Sequence, residues 1–486
     1  MTATDDHPND PSAALEDIES WGLRDFVASF PPSTRFVVAY SGGADSLALL
    51  HALSSSLARP SRLHALHVDH RLHPDSGAWA RHCEDICQRL GVECTTLVVG
   101  DRPDRKGGEP SRGKDDEAGA RQARYALFEE FIGAQDVLCT AHSEDDQAET
   151  LLINLFRGSG IRGLAAIPAL RPLGAGRVAR PLLSIPRQAL RAYAKRTGLA
   201  AIDDPANDDP RFVRTHLRHR LMPEISRRWP KIHESLARTA SLARESAALN
   251  DALARLDLEA GGVDIERCLA TRILDTSALV DLDPARKRNA IAFWLRSSGI
   301  APPSARRMEE IAGPLLEARS DASPCVRLGR WYLRRYRSSL WLVCRHRPPP
   351  PDSSGPHRWA FPDRLIFPHG ILKAIEEARL SLSPGNPLAA HPSPPIDVGM
   401  ARRSIEVHFR HSPCVRQGLR ATSLKKRFQR LRIPPWERDR IPLIHIDGAL
   451  AAIGGDWVDP HFAAPSGACG LHILWQPHDC EDIDHL

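Results

Sequence analysis

The sequence predicts an α/β fold: an N-terminal domain built on a parallel sheet, a helical middle domain and a small α+β C-terminal domain. Three observations predict it. Between Arg35 and about Ala141, short continuous apolar runs alternate with helical stretches, the pattern of parallel strands covered on both faces. Ser235–Glu259 is a long Ala/Leu/Arg helix, followed by further helical stretches that end in the β-like "RWYLRRYRSSLWLVC". Two proline-rich stretches then set off a last unit, about Ile396 to Pro477.

Taken in order, Arg35–Tyr40 reads as the first strand because "RFVVAY" is an unbroken β-type run. Asp45–Leu57 resumes apolar residues at helical spacing, Arg62–Val68 is a second strand, Ser76–Leu90 a helix and Val92–Val99 a third strand. Glu117–Ile132 is the next helix and Asp136–Thr140 the fourth strand. Before that helix, "DRPDRKGGEPSRGKDDEAG" (Asp101–Gly119) is too polar and Gly/Pro-rich to fold alone and reads as a surface loop. "RPPPPDSSGPH" (Arg347–His357) is a linker by composition, and "SPGNPLAAHPSPP" (Ser383–Pro395) a second linker or long loop. The expected boundaries are an N-terminal extension at 1–30, a first domain at 31–232 and a mainly helical domain at 233–346. A proline-rich region at 347–395 and an α+β domain at 396–486 complete the chain.

At 486 residues, 42% apolar and 26% charged, the chain has the composition of a soluble globular protein with several cores. Met1–Asp10 has neither the basic nor the apolar region of a signal peptide, and no run reaches the 18 or so apolar residues that cross a bilayer. A cytoplasmic protein without membrane partners is expected. Ten scattered cysteines without a C-x-x-C pair suit reduced thiols better than disulfides or zinc. Histidines 64, 67, 70 and 73 invite a metal reading, but strand periodicity turns a spacing of three to opposite faces.

The first strand ends abruptly in "SGGADS", Ser41–Ser46. A tight turn from a buried strand into a helix gathers free N–H groups and the positive end of a helix dipole, which together attract an anion. Gly42 and Gly43 let the backbone approach a phosphate, Ala44 leads into the helix, and Ser41 and Ser46 add hydroxyls. Asp45 can cap the helix or reach a magnesium ion. A plain capped turn fits as well. No lysine-bearing phosphate loop occurs, and the one G-x-G-x-x-G, Gly158 to Gly163, follows a helical pattern rather than a strand.

Three other groups carry chemical potential. Arg121 and Arg124, three apart on one helix, can offer a guanidinium to a phosphate. Asp146 and Glu149 share a helical face and suit a single cation, though "SEDDQAE" also reads as an acidic first turn. Arg211–Lys231 holds seven basic residues against Glu224, including Arg214, Arg218 and Arg220. Ala401–Arg440 holds twelve, including Lys425, Lys426 and Arg427, against three acids. Two such clusters beside a nucleotide-binding domain are the footprint of RNA.

Ser-Gly-Gly-x-Asp-Ser after a first strand resembles the signature of the N-type ATP pyrophosphatases, the PP-loop superfamily, whose domain is Rossmann-like. "HVDHRLHPDS", "EAGARQARY", "AHSEDDQAETLLINLFRGSGIRGL", "RPLL" and "DPANDDPRFVRTHLRHRLMP" follow in one order. With "DPARKRNAIAFWLRSSG" and "SLKKRFQRLRIPPWERDRIPL", they resemble the tRNA(Ile)-lysidine synthetases over most of the chain. The resemblance implies that ATP, with magnesium, adenylates the 2-oxo oxygen of the wobble cytidine in the CAU anticodon of tRNA(Ile). Free L-lysine then displaces AMP to give lysidine. It implies Arg121 at the α-phosphate with Asp45 and Asp146 as catalytic groups, residues 41–46 as the nucleotide loop, and Asp146 with Glu149 on the substrate lysine. A homodimer is compatible with it.

The chain departs from the family pattern at Ser143, where a second histidine is usual, at Ala206 for Ser, at Thr215 for Asn and at Arg71 for Gly. The nearest rival is a tRNA 2-thiolation enzyme of the same superfamily, which needs paired cysteines that this chain lacks. A catalytically inactive tRNA-binding protein is the rival from another class, and retention of Ser41, Asp45, Ser46, Asp146 and Glu149 argues against it.

Overall fold

The computed structural model describes residues 17–57, 59–71, 73–100, 116–203, 211, 213–319, 322 and 324–348. Towards the C-terminus it describes 356–360, 363–376, 393–397, 399, 403–410, 421–465 and 470–477. Of the loop expected at 101–119, residues 101–115 lie outside the described residues and 116–119 begin a helix; Ala206 and most of the second linker also lie outside. The chain divides into two compact units at 249/250.

In the first unit the strands fall where the apolar runs predict: β1 (Arg35–Ala39), β2 (Leu63–Asp69), β3 (Glu93–Val98) and β4 (Asp136–Cys139). Between them lie helices α2 (Ala44–Ser56), α3 (Ser76–Leu90) and α4 (Asp116–Phe131), after a short α1 (Leu23–Ala28). Two strands that the sequence does not announce, β5 (Leu170–Leu173) and β6 (Gly176–Ala179), form a hairpin that widens the sheet to the order β3-β2-β1-β4-β6-β5. All pairings but that hairpin are parallel.

The alternation of β1 explains its unbroken apolar sequence. Phe36 and Val38 pack on one face with Leu47, Leu50 and Leu53 of α2, while Val37 packs on the other with Phe128 and Ile132. Each such fully buried side chain contributes about 1.5–3 kcal/mol. Residues 18–28, expected in an extension, belong to this core: Ile18 and Leu23 are fully buried beside Phe36.

The chain winds outward from β1 to β2 and β3, then crosses back to place β4 on the other side of β1. That reversal opens a crevice at the carboxyl ends of β1 and β4, where ligands of such sheets bind. The loop carrying Ser41–Gly43 and the loop carrying His142–Ser143 both leave the sheet there. Helices α5 (Glu144–Phe156) and α6 (Arg187–Arg196) start at the same end, followed by a helical run over Val213–His216, Leu217–Leu221 and Met222–Arg228. Helix α7 (Ile232–Ala260) starts slightly before the predicted Ser235 and spans the boundary between the units.

The second unit joins helices to antiparallel sheets. The motif "RWYLRRYRSSLWLVC" is a hairpin of β9 (Trp331–Tyr336) and β10 (Ser339–Cys344), flanked by β7 (Ile273–Asp275) and β8 (Cys325–Leu328). Trp294, Leu333 and Leu340 fill its core. The linker expected at 347–395 is corrected: β11 (His357–Arg358), β12 (Leu365–Phe367) and β13 (Gly370–Glu376) lie within it. β13 pairs along its whole length with β14 (Gly470–Pro477). The reduced-thiol expectation also has an exception, since Cys344 is disulfide-bonded. Among the described residues no helix is long and apolar enough to cross a membrane.

Gly42 serves the fold as well as any ligand. Its φ is 85°, and a Cβ there would sit 2.3 Å from Ile202 Cδ1 and 3.1 Å from Cys83 Sγ. The Ile202 N–H donates to its carbonyl at 2.9 Å. Gly42 thus makes room for the segment after α6 before any phosphate arrives. Gly42→Ala should lower stability by about 1–3 kcal/mol in urea unfolding, from positive φ plus overpacking. Adding Ile202→Ala should recover only the overpacking part; full recovery would show that backbone strain contributes nothing.

Candidate active site

Gly43 is the N-cap of α2, and no side chain caps that end. The first-turn N–H groups of Ala44, Asp45 and Ser46 are therefore uncapped by any described side chain, the condition an anion site requires. The loop is closed by its own hydroxyls. Ser46 Oγ donates to the Gly43 carbonyl at 2.9 Å and lies 3.1 Å from Ser41 Oγ, and the Ser41 N–H donates to it at 3.3 Å.

Across the crevice, Ser143 is the N-cap of α5 and forms a capping box with Asp146. The Ser143 N–H donates to Asp146 Oδ2 at 2.9 Å, and its hydroxyl donates to the same oxygen at 3.0 Å. The departure from the family's histidine thus places a strong helix cap, with the neighbouring His142 held by Thr140 Oγ1 at 2.8 Å. Asp145 does not cap its own helix. Its Oδ2 accepts the Arg187 backbone N–H at 2.7 Å, capping α6, whose N-cap is Pro186.

Arg187, which no sequence motif singles out, joins these parts. Its Nε donates to Asp45 Oδ2 at 3.3 Å, Nη2 to Asp146 Oδ1 at 2.8 Å and Nη1 to Glu149 Oε1 at 3.2 Å. Its partners lie 38 to 142 positions away, so no local spacing announces it. Arg218 adds Nε to Glu149 Oε1 at 2.8 Å and Nη2 to Oε2 at 3.0 Å. Arg214 Nε lies 3.2 Å from Glu149 Oε2, and its Nη2 donates to Thr150 Oγ1. Two arginines expected on tRNA phosphates therefore pair with the acids expected on lysine. Glu149 is the most deeply buried of the acids, at 2% side-chain exposure, while Arg214 and Arg218 retain 26%.

Burial alone would raise the Asp146 pKa, but Arg187, His142 and the Ser143 N–H overcome it and hold the carboxyl at about 2. For Asp45, burial outweighs Arg187 and the pKa is raised; its Oδ1 is buried without a hydrogen-bond partner among the described residues. Burial outweighs the Asp146 charge at His142 and pushes its pKa down to about 4, so it is a neutral imidazole at neutral pH. Arg121 stands outside this network, its guanidinium over the Tyr125 ring at 5.1 Å. Arg124, the other arginine offered to a phosphate, donates to His70 Nε2 at 3.1 Å. Arg220 is exposed. In the second unit, Lys425 and Lys426 lie on α8 (Ala421–Arg430), while Arg427 stacks 4.1 Å from the Trp457 ring centroid.

A parallel sheet with an uncapped, hydroxyl-closed loop after β1 and a charged crevice at its switch point defines a PP-loop ATP-utilising protein, and residues 18–225 match the PP-loop domain model. Residues 274–341 match the TilS substrate binding domain and 406–475 the TilS substrate C-terminal domain. The tRNA(Ile)-lysidine synthase of Alkalilimnicola ehrlichii is 38% identical over 91% of this chain and 94% of its own length. That of Coxiella burnetii is 34% identical over 94% and 96%. The chain belongs to the tRNA(Ile)-lysidine synthase family. Among solved structures, the U34-tRNA thiolase NcsA from Methanococcus maripaludis is similar at 16% identity and TM-score 0.40, covering 48% of this chain and 79% of its own.

Removing Arg187 strands buried carboxylates. Arg187→Met should cost about 3–5 kcal/mol in urea unfolding, and Arg187→Lys, which keeps the charge but not the three-way fork, an intermediate amount. A loss below about 1 kcal/mol for Arg187→Met would mean that the acids are held by other groups.

His142 gives a pH signature. Its folded pKa is depressed below the ordinary 6.5, so its contribution to stability is fully present above about pH 6.5 and is lost as pH falls towards about 4. His142→Gln should make the acid-side fall of unfolding free energy shallower, by up to about 1.4 kcal/mol per pH unit in that window. An unchanged slope would place His142 in solvent.

Proposed function

We propose that this protein ligates lysine to the wobble cytidine of the CAU anticodon of tRNA(Ile) at the expense of ATP, forming lysidine. The observation that carries it is the shared guanidinium of Arg187. It binds the loop residue Asp45 and the acid pair Asp146 and Glu149 together, so a nucleotide phosphate and a cationic substrate meet within one side chain's span.

In the first step the cytidine 2-oxo oxygen attacks the α-phosphorus of ATP, the bond to the β-phosphate oxygen breaks and pyrophosphate leaves. The loop Ser41–Ser46 and the α2 N-terminus take up the leaving group's charge, and Arg121 meets the charge on the α-phosphate. In the second step the lysine side-chain amine attacks C2, the C–O bond to the phosphate breaks and AMP leaves. Asp146, whose carboxyl is held at about 2, and Glu149 anchor the lysine ammonium, which gives up a proton to solvent water before its amine attacks; the proton lost from the nitrogen after attack leaves the same way. Neutral His142 is the adjacent group able to accept a hydrogen bond without adding charge.

Asp45 Oδ1, buried without a partner among the described residues, fits a magnesium ion, which this carboxylate would hold. Magnesium bound there would neutralise phosphate charge. Arg220, Lys425, Lys426 and Arg427 serve tRNA phosphates. Arg214 and Arg218 do so only on leaving Glu149, which frees the acid pair for lysine. A thiolase reading finds less support: Cys83 is beside the loop, but burial pushes its thiol up to about 12, away from the thiolate a sulfur carrier needs. The reaction belongs in the cytoplasm, where free lysine and tRNA meet.

Incubation with ATP, magnesium and tRNA(Ile) bearing CAU should release AMP in proportion to added lysine and modify the wobble base. ADP as product, or AMP release indifferent to lysine, would sink the reading. Asp45→Ala should abolish adenylation. Neutralising Lys425, Lys426 and Arg427 together should mainly weaken tRNA binding, with a shallower salt dependence.

A further inference from the structure

Three arginines from three elements gather around one phenol on the rim of the crevice. Arg121 of α4 and Arg171 of β5 lie over the Tyr125 ring at 5.1 and 5.2 Å, and Arg180, immediately after β6, places Nη2 3.5 Å from the Tyr125 hydroxyl. Among the described residues no carboxylate pairs with any of the three guanidiniums. Arg171 and Arg180 spend donors on the carbonyls of Pro172 and Pro168 instead.

Arg180 is the informative member. It is only 4% exposed, yet its Nε has no hydrogen-bond partner among the described residues. A buried guanidinium ordinarily finds a carboxylate. Here burial lowers its pKa, the positive Arg121 and Arg171 lower it further, and its charge is met by the Tyr125 phenol and the Pro168 carbonyl. The same three cations pull the Tyr125 pKa down against the effect of burial. Ring quadrupoles offset some of the mutual repulsion of Arg121 and Arg171, but they leave the buried Nε of Arg180 without an acceptor. The cluster lacks an anion, and it adjoins the proposed reacting groups: the carbonyl of Ala179, next to Arg180, accepts the Thr140 N–H at 3.0 Å, and Thr140 Oγ1 lies 2.8 Å from His142 Nδ1.

We infer that Arg121, Arg171 and Arg180 form, around Tyr125, a seat for a phosphate monoanion. Arginine suits it because the planar fork offers paired donors to phosphate oxygens. The choice of phosphate rests on the proposed ATP- and RNA-dependent reaction, which supplies two such groups: the α-phosphate of the nucleotide, and an RNA phosphodiester next to the target base. Arg171 and Arg180 extend the role given to Arg121 alone.

Two arms separate these sources, using the full chain with Arg171→Met and Arg180→Met. In the first, AMP and adenosine binding are measured by equilibrium dialysis. A nucleotide phosphate in the seat weakens AMP about tenfold or more while leaving adenosine unchanged. In the second, tRNA binding is measured from about 50 to 200 mM salt. An RNA phosphate in the seat makes the slope of log affinity against log salt shallower by about 0.7–0.9 for each phosphate that the variant no longer neutralises. Either response supports the seat. Arg171→Met with a parental urea midpoint and no change in either arm overturns it, even if Arg180→Met does not fold. Lysine-dependent AMP release by the parent chain is read separately. Its failure alongside a response in either arm removes the lysine-ligase reading and leaves the phosphate seat standing.

Discussion

Three helix N-termini and three carboxylates, two of them buried, depend on one guanidinium. Helices α2, α5 and α6 begin at the same end of the sheet, and Asp45, Asp146 and Arg187 are each in or at the first turn of their helix. The positive dipole ends favour carboxylates there, but dipoles fix no distances. Arg187 does, because its planar fork meets Asp45, Asp146 and Glu149 with a separate nitrogen each. Helix α6 is held in turn by Asp145 on its first backbone N–H and by Tyr193, whose hydroxyl lies 2.7 Å from His51 of α2. The nucleotide loop and the acid pair are thus parts of one rigid object.

What the sequence disclosed follows from how each feature is buried. The strands β1 to β4 were legible because both faces of the sheet are covered, which forces continuous apolar runs such as Phe36-Val37-Val38. β5 and β6 were not, since each has four residues and β5 lies at the edge with Leu170 and Pro172 exposed. The strands at 357–376 were hidden by prolines that read as linker. In the site, Asp146 and Glu149 were legible because helical spacing puts them on one face. Arg187 and Arg180 were not, because their partners are remote in sequence and a lone arginine has no period.

Ser143 shows how a site tolerates a change in one of its usual residues. The capping box needs a short hydroxyl at the N-cap and an acid three residues on, and Ser143 with Asp146 meets both needs. The same hydrogen bonds that cap the helix occupy Asp146 Oδ2, leaving Oδ1 to face Arg187 and Arg218. The substitution therefore orients the carboxylate. Next to it, Thr140 holds His142 in place.

The charge balance of the network constrains the order of events. Asp45, Asp146 and Glu149 face Arg187, Arg214 and Arg218, three negative charges against three positive. A fourth cation, the lysine ammonium, gains little from a neutral cluster and must also be desolvated. Binding becomes favourable when an arginine leaves. Arg187 is poorly suited to do so, since its side chain is 9% exposed and it serves three acids; Arg214 and Arg218 are more exposed and belong to a basic run. A polyanion that draws those two outward would leave the acid pair with unmet negative charge at the moment the RNA is in place. If the proposed reaction holds, pairing the acids with exchangeable arginines would keep the site closed to stray cations until then and would make the RNA a condition for the amine to enter.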